Sequence, residues 1–213
     1  MRYAFSLLLV WGGLAWGGGE PAEWTAWRKL AVRLHPETET AAGAVPKLVP
    51  RLLPGTQQPA PALLLLGAPD GEAVALAEWL HRQAVHVLFL DGVRQDDPEA
   101  AVRSVRRALR LIRSRAGGWQ IDPEAVGLLA RSAETGAVAV RVATAGDHAP
   151  DAAADKIDRE RAAPDLVVLL NAGDGAAVGK LPEARRPELF TAQGGKWKTA
   201  LAEWLEPFQN DVF

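Results

Sequence analysis

The chain has no cysteine, one methionine and one tyrosine among its 213 residues. Without cysteine there can be no disulfide, no thiolate zinc site and no cysteine nucleophile. An excess of charge of one sign is also absent, since 24 Lys and Arg stand against 26 Asp and Glu, for a net charge of -2. A nucleic-acid binder needs a basic surplus, so that class is excluded. No apolar run reaches the roughly 20 residues that a bilayer-spanning helix requires. No pair of histidines or carboxylates has ligand spacing within a helix, so neither a metal nor a cofactor is expected. What is abundant is apolar: 48% of residues. That is enough to bury one core, and the length suits one domain of ordinary size.

The amino terminus has the order of a secretion signal. Arg2 precedes an apolar run from Ala4 to Val10 that extends to Trp16, and small residues follow at Ala15 and Gly17. Residues 1–17 are therefore expected to be a signal peptide cleaved near Gly18, leaving a secreted or periplasmic protein with no membrane span. An N-terminal core strand or helix is the alternative for the same residues. Residues 18–61 hold Pro36, Pro46, Pro50, Pro54, Pro59 and Pro61, too many for interior helix. A short edge strand fits between Pro46 and Pro54.

From 62 to 213 the texture is that of a folded α/β domain. Leu63 to Leu66, Val85 to Leu90, Val126 to Leu129 and Leu166 to Leu170 are continuous apolar runs, the pattern of strands buried on both faces. Helical periodicity lies between them, over Glu72–Gln83, from Asp97-Pro98 to about Ala116, over Thr135–Thr144, and again over Trp197–Leu205. Gly117-Gly118 is expected to stop the second of these helices. Strands alternating with helices at this spacing predict a mostly parallel sheet of about five strands, covered on both faces in three α/β/α layers. Ligands in such sheets bind at the carboxyl ends of strands. The segments to watch are Gly67–Gly71, Asp91–Arg94, Ala130–Glu134 and Asn171–Gly175.

One stretch is more specific. A helix reading Arg107-Ala108-Leu109-Arg110-Leu111-Ile112-Arg113-Ser114-Arg115-Ala116 is followed by Trp119-Gln120-Ile121-Asp122-Pro123 and the strand Val126-Gly127-Leu128-Leu129. This resembles the acetylxylan-esterase-like branch of the α/β-hydrolase esterases over roughly residues 46 to 205. The resemblance implies a reduced α/β-hydrolase fold and a serine carboxylesterase acting on acylated carbohydrate or small esters. It places the nucleophile at Ser132, at the strand-to-helix elbow. It also places an oxyanion loop at Gly67 and Ala68 with the amide of Ala133, and the general base at Lys196, where the family has histidine.

The residues depart from that pattern at each of these positions. The elbow wants glycine on both sides of the serine, but here Ala130 and Glu134 stand there. Ser132 could equally be an ordinary helix N-cap. The oxyanion loop reads Gly67-Ala68-Pro69-Asp70-Gly71; Pro69 has no amide to donate, and Asp70 either repels an oxyanion or caps the next helix. Lys196 stays protonated at neutral pH unless burial intervenes. Only 23 residues, 171 to 193, separate the fourth strand from Gly194. Asp174 is the one candidate acid in that interval, with a turn aspartate as its other reading.

His35, His81, His86 and His148 do not supply the base by position. An arginine face from Arg103 to Arg115 is expected to be solvated and paired with local acids. The eight tryptophans are expected in or at the edge of the core. Three readings remain open: an active carboxylester hydrolase, a catalytically impaired relative kept as an exported binding protein, and a decaying gene product. Loss of the base favours impairment.

Overall fold

The computed structural model describes residues 32–33, 46–56, 58–93, 96–147, 156–173, 175–183, 186–194 and 196–209. The expected signal segment, His35, His148 and Asp174 lie outside the described residues, as do Trp24 and Trp27.

Strands β1 (Val32–Arg33), β2 (Lys47–Arg51), β3 (Ala60–Leu66), β4 (His86–Asp91), β5 (Ile121–Ala130), β6 (Leu166–Leu170) and β7 (Glu188–Ala192) form one sheet in the order β1-β2-β4-β3-β5-β6-β7. β3 to β7 are parallel, while β2 runs antiparallel to both β4 and β1. The mostly parallel sheet within three layers is as expected, but among the described residues it has seven strands rather than about five. β2 was anticipated as an edge strand; β1 pairs along its outer side. β7 lies in the short interval after β6 and is only half-buried, so its alternation is too weak to stand out in sequence.

Helices α1 (Gly71–Arg82) and α5 (Lys198–Leu205) cover one face; α2 (Pro98–Trp119) and α3 (Ala133–Thr144) cover the other. A single turn, α4 (Ala176–Gly179), follows β6. The pleat of β3 sends Leu64 and Leu66 toward α2 and α3, and Leu63 and Leu65 toward α1 and α5. All seven residues of β3 are buried, which explains why the run lacks alternation. At about 25 cal/mol per Å² of apolar surface removed from water, these two clusters are the main driving force for the fold. Trp79, Trp119, Trp197 and Trp204 pack half-buried at the core's edge, as expected of large rings.

Two expectations need correction. Gly117 and Gly118 do not stop α2. The helix runs on to Trp119 and ends where Gln120 turns left-handed, at φ 54. Glycine inside a helix costs about 1 kcal/mol, which the buried face of a 22-residue helix outweighs. The arginine face is also less solvated than expected. Arg110 and Arg113 are only 5% and 7% exposed. Arg107 bonds Asp158 at 2.6 Å, and the Arg110 Nε–H donates to the Glu160 carbonyl at 3.1 Å. Arg113 donates to the carbonyls of Pro123, Arg161 and Ala163 and pairs with Asp165 at 2.7 Å. Arg107, Arg110 and Arg113 bind the 156–165 segment down, while Arg103 and Arg115 face water.

The two described histidines are structural, at the amino end of the sheet. His86 is fully buried; its Nδ1 accepts from the Leu53 amide at 3.0 Å, and its Nε2–H donates to the Gln120 carbonyl at 2.8 Å. Those partners select one neutral tautomer, because a protonated ring would set an N–H against an N–H. Burial holds its pKa below the usual histidine range. The His81 Nε2–H donates to the Arg51 carbonyl at 3.0 Å, and its pKa is lowered chiefly by burial as well. His86 ties the β2–β3 connection to the sheet, and His81 ties the end of β2 to α1.

Candidate functional site

Parallel strands all end on one side, so the loops that follow them gather there. A cavity of about 510 Å³ opens at that edge. Its walls include Gly67, Ala68 and Asp70 after β3, Arg131 and Ser132 after β5, Asn171 after β6, and Trp197 before α5. A second cavity of about 190 Å³ shares Leu66, Gly67, Ala68 and Thr135 with the first, and reaches Asp91, Gly92 and Val93 after β4. All four segments singled out by the strand pattern therefore contribute.

Ser132 sits where β5 gives way to α3. Its backbone is extended, at φ -137 and ψ 163. The strained turn that lifts a nucleophile out of line is absent here. The residue is instead the N-cap of α3: its Oγ accepts from the Thr135 amide, while the Thr135 Oγ1 accepts from the Ser132 amide at 3.1 Å. This reciprocal pair satisfies donors that the first turn of a helix leaves without partners. The two hydroxyl oxygens are 3.1 Å apart. Glu134 is exposed, and its carboxyl is held below the usual range by its own amide first and the Ser132 hydroxyl second. The hydroxyl thus already has neighbours on two sides.

The local reason is sequence. Glu134 occupies the position where the resembled pattern has a glycine. Close approach is made one half-turn later, at Gly136, where a Cβ would lie 1.8 Å from the Ala172 carbonyl oxygen.

The Gly67–Gly71 segment, where the resemblance places an oxyanion loop, is a tight β-to-α turn. Gly67 takes φ 123, a region reserved for glycine. Its amide donates to the Leu90 carbonyl at 3.2 Å. Ala68 is exposed and follows it on the cavity wall. Ala133 is the first residue of α3, a position whose amide has no acceptor inside the helix. Asp70 caps α1, accepting from the Ala73 amide at 2.7 Å. Its other carboxylate oxygen meets Arg131 at 2.8 Å. Burial pushes the Asp70 carboxyl up, but Arg131 and the backbone amides together bring it below the usual range. Arg131 also lies 3.6 Å from Glu72. A guanidinium between two carboxylates therefore links the turn after β3 to the turn after β5, across the cavity mouth.

Lys196 is exposed, and the side chain that its segment contributes to the cavity wall is Trp197. Asn171 holds this segment in place. Its backbone is left-handed at φ 54, its amide donates to the Ala192 carbonyl, and its Oδ1 accepts from the Gly194 amide at 2.8 Å. Trp197 is steadied by Trp79, edge-on at 5.5 Å. Among the described residues no histidine lines this cavity, and no group of three or more His, Cys, Asp or Glu could hold a metal ion. No described helix is long and apolar enough to cross a membrane.

Arg131 and Asn171 fall within the segments marked by the strand pattern, without a role assigned to them there, while Glu72 and Trp197 are not singled out as site residues by sequence. Arg131 carried one signal, a charge placed directly after a strand buried on both faces, where the chain must turn at the ligand-binding edge.

No protein-family model matches the sequence, and no curated protein matches it. Solved structures do. An acetyl ester-xyloside bifunctional hydrolase from Caldicellulosiruptor lactoaceticus superposes with a TM-score of 0.67 at 18% identity, over 83% of this chain and 95% of that one. A thermophilic esterase of the planctomycete Thermogutta terrifontis with propionate bound gives 0.59 at 12% identity, over 84% and 95%. The same esterase phosphoramylated by tabun gives 0.58 at 12%. The architecture of this chain is thus the α/β-hydrolase-type fold of these esterases.

Proposed function

We propose that this protein is an esterase-fold protein without serine-hydrolase turnover, exported, whose carboxyl-edge cavity binds a small ester or acylated sugar. One observation carries the reading. The Ser132 hydroxyl is the N-cap of α3, in extended backbone, bonded to Thr135 and beside the Glu134 carboxylate. A nucleophilic serine needs a neutral base within hydrogen-bond reach. The described histidines are both committed at the other end of the sheet. Arg131 and Asp70 occupy the mouth where an ester carbonyl would approach the amides of Ala68 and Ala133. A cavity of about 510 Å³ is nevertheless of ligand size.

The second reading is an active carboxylesterase with Ser132 as nucleophile. It is favoured by the placement of Ser132 on the cavity wall directly after β5, with the Ala133 amide beside it. One experiment separates the two. Hydrolysis of p-nitrophenyl acetate by the purified protein and by Ser132→Ala should agree within about twofold, since a hydroxyl lacking its base adds little to background. A fluorophosphonate probe should leave Ser132 unlabelled. A rate that collapses in the variant, together with labelling of the wild type, would establish the esterase instead.

Export rests on the order of charge, apolar run and small residues within positions 1–17. Mass spectrometry of the protein recovered from the periplasm or medium of a bacterial host should show an N-terminus near Gly18. A chain that keeps Met1 contradicts it.

A further inference from the structure

His86 stands at the amino end of β4, fully buried between a donor and an acceptor. The Leu53 amide donates to its Nδ1 at 3.0 Å, and its Nε2–H donates to the Gln120 carbonyl at 2.8 Å. The Gln120 carbonyl also accepts from the Ala60 amide at 3.0 Å. One ring thus joins the connection after β2 to the junction of α2 and β5. Within that connection Leu53 packs half-buried on Ala60 and Ala84, while Pro54, Gly55, Gln58 and Pro59 are exposed. Its two ends are fastened separately. At Arg51 the carbonyl accepts from the His81 Nε2–H at 3.0 Å, and the guanidinium meets Glu78 at 3.3 Å. At Ala60 the chain enters β3, which pairs with both β4 and β5.

A second proton on the His86 ring turns Nδ1 from acceptor to donor and sets it against the Leu53 N–H. The bond to Gln120 survives that change, since Nε2 donates in either state. The same proton on His81 breaks nothing, because its bond to Arg51 is also a donation. The charged side chains at this end are His81, Glu78 and Arg82 from α1, Arg51 from β2 and, past Gln120, Asp122 of β5; β3 brings none. No described carboxylate pairs with His86, so burial disfavours its charged form and the Gln120 carbonyl alone pulls the other way.

We infer that His86 is an acid-released latch: protonation of its ring frees Leu53, and residues 52–59 open between their two fastened ends while β3 and β4 stay paired. In the open form the ring reaches water and binds its proton at the ordinary histidine pKa. The open form therefore gains about tenfold in population for each pH unit below about 6.5, until the closed form is protonated as well. The latch lies at the opposite end of the sheet from the Ser132 cavity, so it is independent of what that cavity binds or turns over.

Amide hydrogen exchange of the purified protein, followed by NMR and corrected for the intrinsic effect of pH, tests the latch. Protection at Leu53 should fall about tenfold or more between pH 7 and pH 5, while Leu64 in β3 and Leu88 in β4 keep theirs. In His86→Asn the side-chain oxygen can still accept from Leu53 but takes up no proton. Protection at Leu53 should then be the same at both pH values. His81→Gln should leave the wild-type dependence in place. The latch is overturned by Leu53 protection that is equal at both pH values in the wild type, that is lost together with Leu64 and Leu88, that still depends on pH in His86→Asn, or that loses its pH dependence in His81→Gln. If His86→Asn does not fold, the wild-type pH profile decides. A fall that begins near pH 6.5 is that of a histidine, and one that begins only near pH 4.5, where carboxylates titrate, overturns the inference.

Discussion

Gly136→Ala should lower the stability of the protein by about 3 kcal/mol or more, the upper end of what overpacking a close contact costs. An added Cβ would lie 1.8 Å from the carbonyl oxygen of Ala172, 2.7 Å from its carbonyl carbon and 2.9 Å from its Cβ. Two of those three atoms are backbone, so no side chain can rotate away. Either α3 or the segment after β6 must move, and both border the cavity at Ser132. In an exposed helix the same change would stabilise by roughly 0.4–1 kcal/mol. The sign therefore distinguishes a packing role from propensity. Urea unfolding followed by tryptophan fluorescence measures it. A variant as stable as the wild type, or more so, would mean that α3 does not approach β6 as closely as described. Gly127 provides a second instance: its Cβ would meet the Leu166 Cβ at 2.5 Å, between adjacent strands.

Gly136 also shows why the site was harder to read than the sheet. Buried parallel strands leave an unambiguous mark, because every residue of a segment such as Leu63 to Leu66 must be apolar. Four strands and four helices were legible on that basis. So was the start of α2 at Asp97-Pro98, where the Asp97 carboxylate accepts from the Ala100 amide at 2.9 Å. β7 was not, because an edge strand of Glu188–Ala192 with exposed positions reads like a loop. The carboxyl-edge segments were found by topology alone. What topology could not show was conformation. The same Ala130-Arg131-Ser132-Ala133 string is compatible with a strained elbow and with an extended N-cap. The outcome is set by which residues meet Ala172 and Thr135 in space. Arg131 shows the same limit. Its pairing with Asp70 spans 61 positions of sequence, and no local pattern announces such a contact.

Arg113→Met should cost about 3–5 kcal/mol at pH 7, the range for breaking a buried ion pair from one side. The side chain is 3% exposed, pairs with Asp165 at 2.7 Å, and donates to three backbone carbonyls. Asp165 in turn accepts from the Val126 amide at 3.1 Å, which places the pair at the start of β5's parallel ladder with β6. Burial dominates this carboxyl and holds its pKa above the usual range, although Arg113 and Arg161 pull the other way. An acid whose pKa is raised by folding makes the folded state bind more protons than the unfolded one. Its contribution to stability is then greatest in acid and declines as pH rises through the folded-state pKa. Removing Arg113 takes away the larger of the two opposing cations, so the carboxyl should rise further. The difference between wild type and Arg113→Met should therefore shrink from pH 7 to pH 5. The buried histidines act with the opposite sign, since their depressed pKa values make folding lose stability as pH falls below about 6.5. They are common to both proteins and cancel in the difference. Adding Asp165→Asn to Arg113→Met should recover part of the loss at pH 7, because it removes the charge left without its main partner. A loss that is the same at both pH values, and that Asp165→Asn does not reduce, would assign the role of Arg113 to its carbonyl contacts alone. Those contacts fasten residues 161–163 beneath α2, and the charge pair would then be incidental to holding β6 in register.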